Sequence, residues 1–202
     1  MIGAIIGDIA GSRFEWDNYR AKDFQPLFSR KAFFTDDSVC TCAVADALIN
    51  HRHPAHALKE WGQRYWENGG WGRSFALWLS SDTLEPYNSW GNGAAMRVLP
   101  VALATFGRDE VEILEAVCAQ AHVTHHNPVS DAACQFIVQA VQQFMRGDSL
   151  SAVYRGCILP YVTARPECSY RKRRRDNPSG WIVETMQVVL QSLMQTDSFE
   201  AC

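Results

Sequence analysis

Residues 35–38, Thr-Asp-Asp-Ser, set two adjacent carboxylates between two hydroxyls, behind the aromatic pair Phe33-Phe34 and at the head of an apolar segment, Val39 to Ile49. Asp, Thr and Ser are natural N-cap residues, and acidic groups suit a helix N-terminus. A cap needs one such oxygen, and this stretch offers four residues of them. Two like charges at the mouth of a buried helix are costly unless a cation or a strong donor set offsets them. Oxygen donors with no His or Cys beside them suit Mg²⁺, Mn²⁺ or Ca²⁺ rather than Zn²⁺. The stretch alone is consistent with either a helix cap or a hard-cation site.

Other stretches carry chemistry of their own. Glu15 follows Asp8 by seven residues in a polar, aromatic-rich loop, where a solvated charge is the plainer account. Asn68-Gly69-Gly70-Trp71-Gly72-Arg73 is either a flexible turn or a loop whose amides approach a ligand closely. Residues 86–97, Pro-Tyr-Asn-Ser-Trp-Gly-Asn-Gly-Ala-Ala-Met-Arg, alternate aromatics, amides and glycines and run into a helix. A Gly-rich turn feeding a helix N-terminus is a ready anion site, and Tyr87 and Trp90 have the shape to sandwich a planar base. A turn with buried aromatics is the alternative. Thr124-His125 ends one helix, where a His is more often a structural donor than a ligand contact. His51, His53 and His56 surround Pro54 and read as a polar turn before a helix rather than a metal site. The run Arg171 to Arg175 reads as a solvated loop beside Asp176-Asn177-Pro178, with contact to phosphates or an acidic protein as the alternative.

The elements that must position these residues are helical. The chain has 202 residues, 47% hydrophobic and 20% charged, with a net charge of −3. That is an ordinary globular composition, sufficient for one well-buried domain over 1–202, with no global pull toward nucleic acid or a membrane surface. The seven cysteines form no CxxC and sit mostly in apolar helical patterns. They read as thiols of a reducing cytosol. The N-terminal apolar run lacks a basic flank and is broken by Asp8, so it is neither signal peptide nor membrane span. Gly3, Gly7 and Gly11 recur every four residues and predict a buried first helix that another helix approaches closely. Apolar periodicity predicts further helices over 38–49, 54–67, 75–79, 94–106, 109–122, 130–145, 151–162 and 181–194. Strand alternation is nearly absent, so the expectation is an all-α bundle of nine or ten helices.

Four stretches then fall into one order: Gly7-Asp8 with Glu15, Thr35-Asp36-Asp37-Ser38, Ser89 through Arg97, and Thr124-His125. In this order and spacing the whole chain resembles the ADP-ribosylglycohydrolase family. The resemblance implies a single-domain, orthogonal helical bundle with a metal-bearing cleft, and hydrolysis of an ADP-ribosyl bond on a modified protein or small-molecule acceptor. It implies two Mg²⁺ or Mn²⁺ ions, with Thr35, Asp36 and Asp37 as the first half of their shell. Asp36 and Asp37 are expected to position metal and water, and Glu15 to gate or assist. Ser89, Gly91, Asn92 and Gly93 match the stretch that holds diphosphate and ribose. Trp90, with Tyr87, matches the aromatic position against adenine, His125 matches a His near the diphosphate, and Gly70 and Gly72 match the Gly-rich turn.

One departure stands out. The family's second acidic motif, of the form Gly-Asp-x-Asp-Thr/Ser, has no counterpart after Arg175, where the remaining carboxylates are Asp176, Glu184, Asp197 and Glu200. The expectation is therefore a bundle truncated at its C-terminus, with half of the two-metal site, apolar faces left for self-association, and a cytoplasmic location. The function expected is metal-dependent release of ADP-ribose. The alternative is a fragment that binds ADP-ribose without turning it over.

Overall fold

The computed structural model describes residues 1–15, 26–163 and 181–195. The Arg171–Arg175 run, Asp176, Asp197 and Glu200 lie outside them. Within the described residues the fold is all-α, as its periodicity predicts. Helix α1 spans Ile2–Ser12, α2 Asp36–Ile49, α3 Pro54–Arg64, α4 Arg73–Leu79, α5 Gly93–Met96, α6 Leu99–Ala104, α7 Glu110–Ala121 and α8 Pro128–Met145. Helix α9 runs from Leu150–Val153 through a π-helical turn, Tyr154–Ile158, into Leu159–Thr163, and α10 is Ile182–Gln195. A single backbone bridge, Gly91 to Trp181, is the only strand-like pairing among the described residues.

Helix α2 is the hub. It packs along α3 and against α1, α5 and α6, while α8 lies against α5, α6, α7 and α10. Their shared core holds Val44, Leu58, Leu79, Val98, Val101, Val117 and Val138, each 1% exposed or less. Small residues make α2's close packing possible: Ala43, Ala45 and Ala47 are all buried along it.

Local chemistry explains the helix ends. Asp109, Asn127 and Ser149 each cap the helix that follows by accepting an N–H two or three residues into it. His53 caps α3, its Nδ1 accepting the Ala55 N–H at 3.2 Å, with Pro54 at the first helical position. The histidines around Pro54 thus form the polar turn expected of them.

Two expectations fail. The segment 94–106 is not one helix but two, α5 and α6, broken at Arg97 and Val98. Pro100 explains the break, because it has no N–H for the Met96 carbonyl and its ring would clash there. That carbonyl instead lies 3.4 Å from the Thr41 hydroxyl. Among the described residues the glycine groove of α1 also receives no partner. Among the described residues no atom comes within 4 Å of a Cβ built on Gly3, Gly7 or Gly11, and all three are exposed. The helix docks by the adjacent face instead, through Asp8 and Ser12, whose hydroxyl accepts the Phe33 N–H at 3.1 Å.

Candidate active site

The docking of α1 builds the first wall of a cleft. The Asp8 carboxylate lies at the N-terminus of α2 and takes four hydrogen bonds there. The Thr35 hydroxyl donates to Oδ1 at 2.6 Å and the Thr35 N–H to Oδ2 at 2.8 Å. The Ser38 hydroxyl and N–H donate to Oδ2 at 2.5 and 3.2 Å. Thr35 is itself the N-cap, its hydroxyl accepting the Asp37 N–H at 3.4 Å. The cap is therefore made by Thr35 and Asp8 together, and the side chains of Asp36 and Asp37 are left to face the cleft. This resolves the first ambiguity of the sequence: the cap is real, and it does not consume the two adjacent carboxylates.

The cleft has a volume of about 380 Å³. Glu15, Asp36 and Asp37 line one side. Gly70 and Gly72 follow on the loop between α3 and α4, and Ser89, Gly91, Asn92, Gly93, Tyr87 and His125 line it further. Eleven of the residues expected in a site thus come together from five separate stretches of chain. Two do not line it. Thr35 is only 2% exposed, behind the carboxylates and engaged with Asp8. Trp90, expected against a base, is half exposed outside the lining, and its carbonyl accepts the Ile182 N–H at 3.1 Å.

Electrostatics set the acidic wall apart. Burial pushes the Asp37 carboxyl up to about 7, with Asp36, Asp8 and Glu15 adding repulsion. Burial also raises Asp36, opposed by amide hydrogen bonds that include one from Gly70. Glu15 is raised by burial and then by Asp36 and Asp8. Among the described residues no Lys or Arg forms an ion pair with any of these carboxylates. Three carboxylates brought together, with no ion pair to them among the described residues, suit a hard divalent cation. The residues present fit one on this side, though such an ion takes roughly six oxygens.

The opposite wall is built around a buried cation. Arg97 is 1% exposed. Its Nε donates to Gln120 Oε1 at 3.1 Å, and one terminal nitrogen donates to the Gln120 carbonyl at 2.9 Å and to Thr124 Oγ1 at 2.8 Å. Thr124 Oγ1 lies 2.7 Å from His125 Nδ1. Arginine only donates, so Thr124 accepts from it, and its own proton is assigned to Nδ1. This hydrogen-bond assignment puts the imidazole proton on Nε2. Burial, and then Arg97, depress the His125 imidazolium to about 3, so the ring is neutral. Burial raises the Tyr87 phenol to about 12.

Gly93 fits against that ring. A Cβ there would lie 3.0 Å from His125 Cε1 and 3.3 Å from Nε2. The loop before it is tied down on both sides. The Ser89 N–H donates to the Thr124 carbonyl at 2.9 Å, and Asn127 Nδ2 donates to the Ser89 carbonyl at 2.7 Å. From α10, Thr185 Oγ1 accepts from Asn92 Nδ2 at 3.1 Å.

Sequence reasoning missed several of these parts. Asp8 was noticed only as part of a pattern, although a lone carboxylate in an apolar helix signals a docking point. Arg97, closing an otherwise apolar block, is the buried cation of the second wall. Cys40, Arg73, Ser74, Phe75 and Met96 also line the cleft, and nothing in their spacing marks them.

Comparison with known proteins adds an independent line. The ADP-ribosylglycohydrolase family model matches residues 1–202. The ADP-ribosyl-[dinitrogen reductase] glycohydrolase of Rhodospirillum rubrum is 35% identical over 150 aligned positions, which cover 63% of this chain and 50% of that protein. The ADP-ribosylarginine hydrolase Tri1 of Serratia proteamaculans is 25% identical over 230 aligned positions, 98% of this chain and 62% of the relative. The chain thus spans between half and two thirds of the length of these relatives.

Proposed function

The chain belongs to the ADP-ribosylglycohydrolase family, and from that premise we propose that its cleft binds ADP-ribose on a modified acceptor and hydrolyses the bond to it. The observation that carries this reading is the meeting of Glu15, Asp36 and Asp37 with the Ser89–Gly93 loop and His125 around one cleft. Acidic groups belong at an anomeric carbon that gains positive charge as its bond breaks. Neutral donors belong at a diphosphate.

Each side chain then has a task. The first amides of α5 lack intrahelical acceptors by their position, and Gly93 lines the cleft. His125 presents a neutral Nε2–H beside Gly93, held in that tautomer by Thr124 and Arg97. Tyr87 offers its ring face next to His125, with centroids 6.3 Å apart. Asp36 and Asp37 hold the attacking water and its proton, and Glu15 closes the same wall. Divalent ions, held on this side by Asp36, Asp37 and Glu15 with Thr35 behind them, would supply sugar orientation and a more acidic water. We infer Mg²⁺ or Mn²⁺ from the all-oxygen donor set. The acceptor class follows the names of the two relatives: a protein bearing ADP-ribose, on arginine for one of them. No helix among the described residues is long and apolar enough to cross a membrane.

The test is release of ADP-ribose from an ADP-ribosylated arginine substrate, with Mn²⁺ and with chelator, beside calorimetric binding of free ADP-ribose. Mn²⁺-dependent release that is lost in Asp37→Asn supports the reading. Binding without release would favour a domain that holds ADP-ribose with only half of the oxygen ligands. Neither binding nor release removes the proposal.

A further inference from the structure

One group of metal-ligating side chains stands apart from the cleft. Cys118 and His122 lie one turn apart at the end of α7, and Asp131 lies in the first turn of α8. One potential ligand atom from each falls within 4.8 Å of the other two. His122 Nε2 is 2.9 Å from Asp131 Oδ1. All three side chains are partly exposed, and the exposed His126 stacks on His122 with centroids 4.1 Å apart. No residue of this group lines the cleft.

A plain ion pair accounts for His122 and Asp131, but it does not account for the cysteine. A helix-end Cys and His at i, i+4 share a face, and the first turn of the next helix brings a carboxylate to that same face. We propose that Cys118, His122 and Asp131 form a binding site for a borderline-soft divalent cation, Zn²⁺ by its chemistry, separate from the oxygen-lined cleft.

The donor set supports this choice. Sulfur, imidazole and carboxylate together select Zn²⁺ and its neighbours over Mg²⁺ or Ca²⁺. A thiolate and a carboxylate offset the two positive charges. Metal bonds near 2.0 to 2.3 Å in a tetrahedron put ligand atoms roughly 3.3 to 3.8 Å apart. The His122–Asp131 pair therefore opens by a few tenths of an ångström and the Cys118 sulfur closes by up to about 1 Å, both within side-chain rotation. Exposure leaves the fourth position to water or to His126.

The site also has a structural consequence. It joins the end of α7 to the start of α8 across residues 122–127. That short turn holds Thr124, His125 and Asn127, which support the second wall of the cleft. An ion there stiffens this turn. The inference does not depend on what the cleft hydrolyses.

Co²⁺ is the probe, because a cobalt–thiolate bond gives a near-ultraviolet charge-transfer band that oxygen ligands do not. The reduced 202-residue chain is titrated with Co²⁺ after chelator treatment, then with Zn²⁺. The expected result is one equivalent of charge-transfer band, bleached by Zn²⁺ and absent in both Cys118→Ser and Cys118→Ala. Asp131→Asn and His122→Gln should weaken Co²⁺ affinity at least tenfold. Asp37→Asn and Cys42→Ser should keep the band at full strength. Far-ultraviolet circular dichroism checks that each variant is folded. A band that survives both Cys118 variants, or no band at millimolar Co²⁺ in the parent chain, overturns the site. If both Cys118 variants are unfolded, the Asp131→Asn and His122→Gln titrations decide: unchanged affinity in both overturns it.

Discussion

At the scale of single residues, two buried groups respond to pH in opposite senses. Asp37 has its carboxyl raised from 3.8 to about 7, so the folded chain binds more protons than the unfolded chain between those values. Its contribution to stability is full below pH 3.8 and is lost as pH rises through 7. His125 is depressed from 6.5 to about 3. The folded chain then binds fewer protons, so its contribution is full above pH 6.5 and falls away as pH drops toward 3. In chelator, the parent chain should be nearly flat from pH 5 to 6.5, where the two effects oppose each other, and lose stability from pH 6.5 to pH 8. Asp37→Asn should lack that loss and be more stable than the parent at pH 8 by about 2 kcal/mol, against a ceiling of about 4 for a gap of this size. Below pH 6.5 the His125 decline, offset by Asp37 in the parent, should be uncovered in the variant. Denaturant melts at four pH values check both limbs, and a parent curve that rises from pH 6.5 to 8 would contradict the assignment. Thr124→Val provides the second residue-scale prediction. It leaves the Arg97 guanidinium short of an acceptor and removes the donor to His125 Nδ1. Losing such a bond to a buried charge costs about 2 kcal/mol. The His125 C–H signals should show a changed tautomer by nuclear magnetic resonance, while Thr124→Ser should keep the parent pattern.

At the scale of elements, the informative joint is α1 against α2. Asp8 takes four bonds from Thr35 and Ser38, and replacing it by Ala strands those donors where water scarcely reaches. Asp8→Ala should destabilise the chain by about 3 kcal/mol and release the end of α2 that carries Asp36 and Asp37. Asp8→Asn should cost less, because its oxygen can keep the three Oδ2 bonds while its amide nitrogen donates to the Thr35 hydroxyl. Hydrogen exchange at 36–39 reads the loosening directly, and unchanged protection there would show that Thr35 caps α2 unaided. This joint also shows which structure is legible in sequence and which is not. The carboxylate surplus at Asp36 and Asp37, the loop Ser89 to Gly93 and the position of His125 could all be read, because motif residues lie close together in the chain and few geometries serve them. The caps at Asp109 and Asn127 follow from short-range rules as well. The orientation of α1 did not: a glycine face and an Asp8–Ser12 face lie about 100° apart on one helix, and only the partner at 33–38 decides between them. Apolar periodicity does not settle the buried side of α7 for the same reason. Val111 and Leu114 fit its pattern yet are 65% and 42% exposed, while the polar Gln120 is buried to bind Arg97. Trp90 had an aromatic ring for a base, but its neighbour across space is α10, ninety residues along the chain.

At the scale of the whole molecule, α10 makes the cleft depend on the far end of the described chain. Helix α10 packs on α8 through a core that includes Ile182, Met186 and Leu190, each 3% exposed or less. From there its first turn reaches the 89–93 loop in two ways: the Ile182 N–H donates to the Trp90 carbonyl, and Thr185 accepts from Asn92. The first is a backbone bond that no side-chain change removes. The second hangs on one hydroxyl. Thr185 is only partly buried, so replacing it by Val keeps shape and costs the fold about 1 kcal/mol or less. The Asn92 side chain, however, loses its anchor, and with it the loop loses the contact that fixes its register against the α10 turn. Thr185→Val should therefore separate binding from stability. The melting midpoint should move by a few degrees at most, while ADP-ribose affinity falls about fivefold and amide exchange quickens at 91–94 but not in α2. Thr185→Ser, which keeps the hydroxyl, should restore affinity. If Thr185→Val binds ADP-ribose as the parent does, the loop is positioned by Thr124 and Asn127 alone, and α10 serves the core without reaching the site.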